Sequence, residues 1–308
     1  MYGSCYSHQS QGGGLTILSN RVNYVFNLKG PSMTVDTACS STMYALHMAC
    51  RSLQVGDCSA AVVAGTNLIF GIEQQIASVR LGVLSPTSTC HTFDESADGY
   101  ARAEAVGALY LKPLSQAIAD KNPIRAVIRA TSINALVINL LNSIISLTYS
   151  TRNGRSPGIS HPSAADQELV IRQAYSTAQL GFERTGYFEC HGTGTPVGDP
   201  LEISAIGNVF SDTRTPESPL LIGSVKTNLG HGEAASAISS LIKVVLCLEN
   251  GQIPATIGIK RLNPALNLRD GRLKVVQTFS SWPAEQSYLR ASVVRIHQLK
   301  FYLMLMPR

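Results

Sequence analysis

The chain has 308 residues, of which 44% are apolar and only 15% charged, against roughly 25% charged in ordinary soluble domains. So little charge implies extensive buried surface, a subunit interface included, and the length fits one large domain or two small ones. The net charge of +5 falls to +1 without Arg152, Arg295, Lys300 and Arg308, and no cluster of Lys and Arg with interleaved aromatics occurs, so a nucleic-acid partner is not expected.

The start Met1-Tyr2-Gly3-Ser4-Cys5-Tyr6 has no basic region leading into an apolar core, so it does not read as a secretory signal. The longest apolar stretch, 135–149, is broken by Asn139, Asn142, Ser143 and Ser146 and falls short of the roughly 20 residues a bilayer span needs. Seven cysteines, an odd number without regular close spacing, argue against a disulfide framework and for a reduced, cytoplasmic protein.

In chain order, Gly12-Gly13-Gly14 reads as a turn and Met33 to Val35 as a short apolar strand. A helix follows from near Ser40, with Leu46, Ala49 and Leu53 at helical spacing. The apolar run within Ser59 to Phe70 and the run Ala105 to Leu111 predict strands buried on both faces. Pro162-Ser163 and Asp166 open a helix over Asp166 to Leu180, where Leu169, Val170, Ala174 and Ala178 recur at near-helical intervals. Tyr187 to Cys190 predicts a short strand and Ala234 to Leu248 a small-residue helix. Strands alternating with helices indicate an α/β layered fold.

Three strings carry candidate chemistry: Val35-Asp36-Thr37-Ala38-Cys39-Ser40-Ser41, His191-Gly192-Thr193-Gly194-Thr195-Pro196, and Lys226-Thr227-Asn228-Leu229-Gly230-His231. Cys39 falls at a helix N-terminus, where the macrodipole favours thiolate over thiol. A free cysteine has a pKa of roughly 8.5 and needs such help at neutral pH. The alternative is a buried structural cysteine, the reading assigned to Cys50, Cys58 and Cys247. His191 and His231 both sit among glycines that give substrate access. A zinc site at Cys190 and His191 lacks a further ligand at metal spacing. His8, His47, His91, His161 and His297 read as surface or packed residues. Asp199 reads as a helix N-cap or structural carboxylate, and Arg102 with Glu104 as an ion pair. No phosphate-binding glycine motif is found, so no nucleotide cofactor is expected.

These strings, with Phe93-Asp94, Gly99-Tyr100-Ala101-Arg102, Gly223-Ser224-Val225-Lys226 and Gln252-Ile253-Pro254-Ala255-Thr256-Ile257 in matching order, resemble the β-ketoacyl synthase (ketosynthase) domain of polyketide and fatty acid synthases. The nearest spelling is that of highly reducing polyketide synthases of filamentous fungi. The resemblance covers most of 1–134 and 153–293. It implies a thiolase-like αβαβα sandwich, incomplete at both ends, with a nucleophile-bearing half at 1–128, a half at 129–293 bearing both histidines, and an aberrant tail at 294–308. It implies that Cys39 carries an acyl chain and that His191 and His231 assist decarboxylation of a malonyl thioester. Lys226 would hold His231, Glu233 would share that network, and Thr193 and Thr195 would contact the phosphopantetheine arm of an acyl carrier protein. A homodimer working with neighbouring synthase domains is implied, with no metal.

The family most often has glycine where this chain has Ala103 and Ala105. It runs from a segment like Ile133-Asn134 almost directly into Asn153-Gly154-Arg155, whereas residues 135–152 intervene here. Tyr149-Ser150 can be encoded with the 3′ end of an intron, so this insert reads as a retained intron, against a genuine surface insertion. After Val293 the family continues with an asparagine and a Gly-Phe-Gly-Gly loop supplying an oxyanion donor; this chain gives Val294-Arg295-Ile296-His297. Loss of that loop and of the closing strands is therefore expected. By resemblance the opening strands are also expected to be missing, which predicts exposed sheet edges and poor solubility. Two further readings stand beside a working condensing enzyme: a catalytically inactive fragment of a truncated or mis-spliced gene, and a thiolase-fold hydrolase or transferase using Cys39 without decarboxylation.

Overall fold

The computed structural model describes residues 12–134, 162–283, 289–297 and 299–306. The insert 135–152 lies outside them. The elements are α1 (Leu15–Phe26), α2 (Ser41–Val55), β1 (Ala61–Asn67), α3 (Glu73–Arg80), β2 (Ala105–Leu111), α4 (Leu114–Ala119), β3 (Val127–Asn134), α5 (Ala164–Ala178), β4 (Tyr187–Glu189), α6 (Gly198–Phe210), β5 (Leu220–Gly223), α7 (Lys226–Leu229), α8 (Ser236–Asn250), β6 (Gln252–Ile253), β7 (Leu273–Val275), β8 (Ser280–Ser281), β9 (Ala291–His297) and β10 (Leu299–Met306).

The central sheet has the order β3-β10-β9-β4-β5-β7. Strands β9, β4, β5 and β7 run parallel, and β10 is antiparallel to both β9 and β3. Because side chains alternate across a strand, Tyr187 enters one core and Phe188 the other. The Phe188 side is covered by α5 and α6 through Ile171, Ala174, Tyr175, Ile203, Ile206 and Phe210. The Tyr187 side is covered by α2 and α8 through Met43, Leu46, Ala237, Leu241 and Val244. Beyond α2 and α8 lies a second, two-stranded antiparallel sheet of β1 and β2, whose Val63 joins the same core. The described residues thus stack as sheet, helices, sheet, helices.

Helix α5 begins as the sequence predicts, with the Ser163 hydroxyl accepting from the amide of Asp166 at 3.3 Å. The buried faces of β1 and β2 are less complete than expected. Both alternate along their length, leaving Val62 51%, Val106 74% and Tyr110 67% exposed. An apolar run states that residues suit burial, not that a layer lies on both sides of them. Met33 to Val35 forms no strand; the chain there makes only a turn with an isolated bridge between Thr37 and Cys39. The tail also departs from expectation. Residues 294–297 extend β9, and residues 299–306 close the gap between β9 and β3 as β10, so that this end of the sheet is paired where lost closing strands were expected.

Two loops are tied to α6 by one buried carboxylate. Asp199 accepts from the amide of Phe93 at 2.9 Å and from that of Gly194 at 3.1 Å. Burial outweighs these bonds and raises its pKa to about 6. Asp94 does similar work on the next loop. It accepts from the amides of Ser96, Lys260 and Arg261 at 2.9, 2.7 and 3.0 Å. Burial pushes its pKa up, but these bonds and the Ser96 hydroxyl outweigh it and hold the carboxyl well below the usual range.

Gly99, with φ 142°, packs directly against backbone: a methyl group there would stand only 2.5 Å from the carbonyl carbon of Leu84 and 2.6 Å from the amide of Ser85. Gly99→Ala is expected to cost at least ~3 kcal/mol in chemical denaturation, since backbone cannot give way. A carboxyl that binds its proton more tightly folded than unfolded lowers stability as pH rises through the interval between its two pKa values. Relative to Asp199→Asn, the wild-type chain is therefore expected to lose about 3 kcal/mol of unfolding free energy between pH ~4 and ~6, measured by denaturation across that range.

Candidate active site

Cys39 stands at the end of a tight turn into α2. The turn is fixed by Asp36, whose carboxylate accepts from the amide of Ala38 at 3.0 Å, and by Ser41, whose hydroxyl accepts from the amide of Thr37 at 2.9 Å. Ala38, directly before the cysteine, has φ 54°, a left-handed conformation that costs a non-glycine residue roughly 1–2 kcal/mol. Cys39 is buried. Elsewhere burial works against reactivity: it pushes the thiols of Cys50 and Cys247 up to about 11 and raises those of Cys90 and Cys190, as suits the structural readings given to Cys50 and Cys247.

His191 follows β4. Its amide and that of Gly192 donate to the two oxygens of Glu202, at 2.6 and 2.9 Å. Glu202 lies one turn beyond Asp199, so α6 presents both carboxylates to the same loop. Burial is the largest influence on Glu202 and raises its pKa. On the far side the loop carbonyls are held by hydroxyls: Thr92 donates to Gly192 at 2.7 Å and Ser224 to the same oxygen at 3.2 Å. Gly192 has φ 45°, and a methyl there would come within 2.7 Å of Ser224 and Thr92.

Lys226, buried at the start of α7, donates its ammonium to the carbonyl oxygen of His191. The sequence reading tied Lys226 to His231; the bond found braces the other histidine's backbone. Next to it, Val225 donates its amide to Glu189 at 2.8 Å, and Glu189 is paired with Lys243 and the hydroxyl of Tyr187. A buried ion pair satisfied in this way fixes the register of the lysine loop.

His231 sits in a backbone cradle. Its amide donates to Ala101 at 2.8 Å and its carbonyl accepts from Ala103 at 3.0 Å. Ala103 and Ala105 pack so closely on the flanking glycines that a methyl on Gly230 or Gly232 would lie 2.9 Å from theirs. The Nδ1 of His231 accepts from the amide of Glu233 at 2.9 Å. In the neutral ring that makes Nε2 the protonated nitrogen, hence a donor. Glu233 has φ 43° and pairs with Arg102 at 3.4 Å. The expected Arg102–Glu104 pair is not the one formed: Glu104, at the surface, accepts from the amide of Ile69 at 2.7 Å, while the desolvated carboxylate of Glu233 takes the guanidinium.

The folding of these loops brings Cys39, His191 and His231 together. One ligating atom of each lies within 4.8 Å of the others, and the two imidazoles meet edge to face with centroids 5.5 Å apart. Such a trio could hold a metal ion by spacing alone; with the Glu233 amide on Nδ1, the neutral His231 ring carries its proton on Nε2. Thr193 and Thr195 follow His191 with hydroxyls 3.2 Å apart, and Thr195 also accepts from the amide of Gly198 at the start of α6. Asp199 lies inside that helix and acts as the structural carboxylate, the second of its two expected roles. His47 and His91 are bonded to Thr131 and Thr87; His8 and His161 lie outside the described residues.

The sequence reading missed three site residues. Thr42 donates to the carbonyl of Ala234 at 2.5 Å, joining the helix that follows Cys39 to the His231 loop. Glu202 could have been found from its i+3 spacing after Asp199. Tyr100, whose ring lies 4.5 Å from that of His231, left no signal in sequence spacing.

Two family models match the chain, the β-ketoacyl synthase N-terminal domain over residues 4–117 and the C-terminal domain over residues 143–260. A highly reducing polyketide synthase of Pyrenophora dematioidea is 86% identical over 282 residues, 92% of this chain and 10% of the relative. Prosolanapyrone synthase of Alternaria solani is 55% identical over 287 residues, 93% of this chain and 10% of its own length. Among solved structures, the ketosynthase from module 6 of the bacillaene synthase of Bacillus subtilis 168 superposes with a TM-score of 0.87 at 30% identity, over 100% of this chain and 53% of that one. The chain thus spans about a tenth of the curated relatives it matches and about half of the solved ketosynthase. The thiolase-like α/β fold, the order of the three motifs and these matches agree: the chain belongs to the β-ketoacyl synthase family.

Proposed function

We propose that this chain is the condensing domain of a polyketide synthase, catalysing decarboxylative Claisen condensation. The observation that carries the reading is the convergence of Cys39, His191 and His231 within 4.8 Å, with the tautomer of His231 set so that Nε2–H donates. The acyl and malonyl groups would arrive as thioesters on the phosphopantetheine arm of an acyl carrier protein, with Thr193 and Thr195 contacting the arm. No resident cofactor is needed. The domain would work beside the other domains of its synthase, as a homodimer, in the cytoplasm; among the described residues no helix is long and apolar enough to cross a membrane.

In the first half-reaction the Cys39 thiolate attacks the acyl thioester. A carbon–sulfur bond forms to Cys39, and the carrier thiolate leaves and takes up a proton. In the second, the carbon–carbon bond to the malonyl carboxylate breaks and carbon dioxide departs. The electron pair stays as an enolate, whose oxygen accepts hydrogen bonds from His231 Nε2 and from His191. The enolate carbon attacks the acyl carbonyl on Cys39, and collapse of the tetrahedral adduct expels the thiolate, ready for the next acyl group. Lys226 supports His191 through its carbonyl, and Glu233 supports His231 through its amide.

The full polypeptide is expected to gain one acyl group on Cys39 when offered an acyl thioester, read by mass spectrometry of the peptide, and Cys39→Ala to gain none. His231→Ala is expected to keep that acylation but to release carbon dioxide from a malonyl thioester about 10²-fold more slowly, the usual scale of a positioned proton or hydrogen-bond donor. Acylation without any malonyl decarboxylation would favour a thiolase-fold transferase instead.

A further inference from the structure

Strands β4 and β5 pair in parallel as far as Glu189 and Gly223, and the amide of Cys190 closes the ladder on the carbonyl of Gly223 at 2.7 Å. Both strands then leave the sheet, β4 into His191 and β5 into Ser224, Val225 and Lys226. The amide of Val225, at the head of α7, lies beyond the ladder and donates instead to one oxygen of Glu189 at 2.8 Å. The other oxygen accepts from the hydroxyl of Tyr187 at 2.7 Å and from the ammonium of Lys243 on α8. The Glu189 side chain is fully buried and that of Lys243 nine-tenths buried. The lysine reaches the carboxylate over the ring of Tyr187, its nitrogen 4.4 Å from the ring centroid. One carboxylate thus joins three pieces of the site: the strand leading into His191, the residue before Lys226, and the helix that follows the His231 loop.

Resting on the condensing reading above, we propose that Glu189, with Lys243 as its counter-ion, is a positioning residue for the decarboxylation half-reaction: it holds the Val225 amide so that Lys226 stays on the carbonyl of His191 and that histidine keeps its place beside Cys39 and His231. The two charges are not needed to keep this region folded, because buried ion pairs are often replaced by neutral side chains of similar size without loss of stability. What an apolar pair does not supply is an acceptor for the amide of Val225. A carboxylate also makes a stronger and shorter bond to an N–H than a neutral oxygen does, and Lys243 allows that carboxylate to stay charged where no water reaches it.

The step that depends on this is the breaking of the malonyl carbon–carbon bond, in which His191 donates to the enolate oxygen. The turn that presents Cys39 is fixed separately, by Asp36 and Ser41, and acyl transfer to the sulfur requires no donor to an enolate. A residue that merely holds the fold together would slow both half-reactions; a residue that seats Lys226 against His191 slows one and spares the other.

The test compares wild type with two double variants of the full polypeptide that remove both charges and differ only in the acceptor. Glu189→Gln with Lys243→Met keeps an amide oxygen for the Val225 N–H; Glu189→Leu with Lys243→Met keeps none. Acylation of Cys39 by an acyl thioester is followed by mass spectrometry, carbon dioxide release from a malonyl thioester in the same preparations, and folding by chemical denaturation. Both variants are expected to acylate Cys39 within about twofold of wild type, since the Cys39 turn shares no partner with Glu189. The glutamine variant is expected to decarboxylate within about fivefold of wild type, its acceptor now being neutral. The leucine variant is expected to be slower than the glutamine variant by roughly tenfold, the scale of one lost hydrogen bond. Equal decarboxylation in the two variants, with an active wild type, would overturn the assignment alone. So would a glutamine variant that acylates but no longer decarboxylates, because the charges and not the amide bond would then matter. Loss of both half-reactions together in the leucine variant, unfolding included, would also overturn it, in favour of a purely structural role. A wild type that acylates Cys39 yet never decarboxylates malonyl would overturn the condensing reading and this inference with it.

Discussion

The site depends on two carboxylates buried beneath it. Asp199 and Glu202, one turn apart on α6, take the amides of Phe93, His191, Gly192 and Gly194, so four loop N–H groups that would otherwise be buried without partners are satisfied from a single rigid helix. Leaving even one such donor unmet costs about 1–3 kcal/mol. The same bonds fix the orientation of the His191 backbone, whose carbonyl then receives Lys226, Ser224 and, through Gly192, Thr92. Burial makes the arrangement costly in charge. The raised affinity of both carboxyls for protons reflects this desolvation, tolerated because α6 places them where loop amides must be held.

Backbone strain collects around the same chemistry. Ala38, Phe93 and Glu233 all occupy the left-handed region without being glycine. Each is over-determined by neighbours: Ala38 by Asp36, Phe93 by Asp199 and the amide of Asn263, and Glu233 by its bond to His231 and its pairing with Arg102. Such conformations persist only where the surroundings insist on them. They turn Cys39 out at the head of its helix and lay the Glu233 amide against the imidazole, two placements that a relaxed turn would not give.

Local signals carried much of this into the sequence. The start of α5 was written in Ser163 and Asp166, the helix behind Cys39 in its apolar spacing, and the strand before His191 in the run from Tyr187. What sequence could not express was partnership at a distance. Arg102 had a carboxylate two residues away in Glu104, and nothing local says that Glu233 is the buried one that needs it more. The apolar runs of β1 and β2 described residues fit for burial, while the number of layers on either side is a property of the whole assembly. The tail read as foreign to the family, yet an extended apolar run finds its hydrogen bonds wherever an unpaired strand offers them, here between β9 and β3.

The bond from Thr42 to the carbonyl of Ala234 ties the first turn of the helix behind Cys39 to the loop after the second histidine. Gly65 on β1 leaves the room for it, since a methyl there would collide with the Thr42 hydroxyl. The sulfur and the imidazole are thereby referenced to a common support. Under the proposed condensing reading, an acyl chain on Cys39 would press on a helix that is bonded to the loop of the very imidazole that meets the enolate, so the two partners would share one support rather than stand on separate ones.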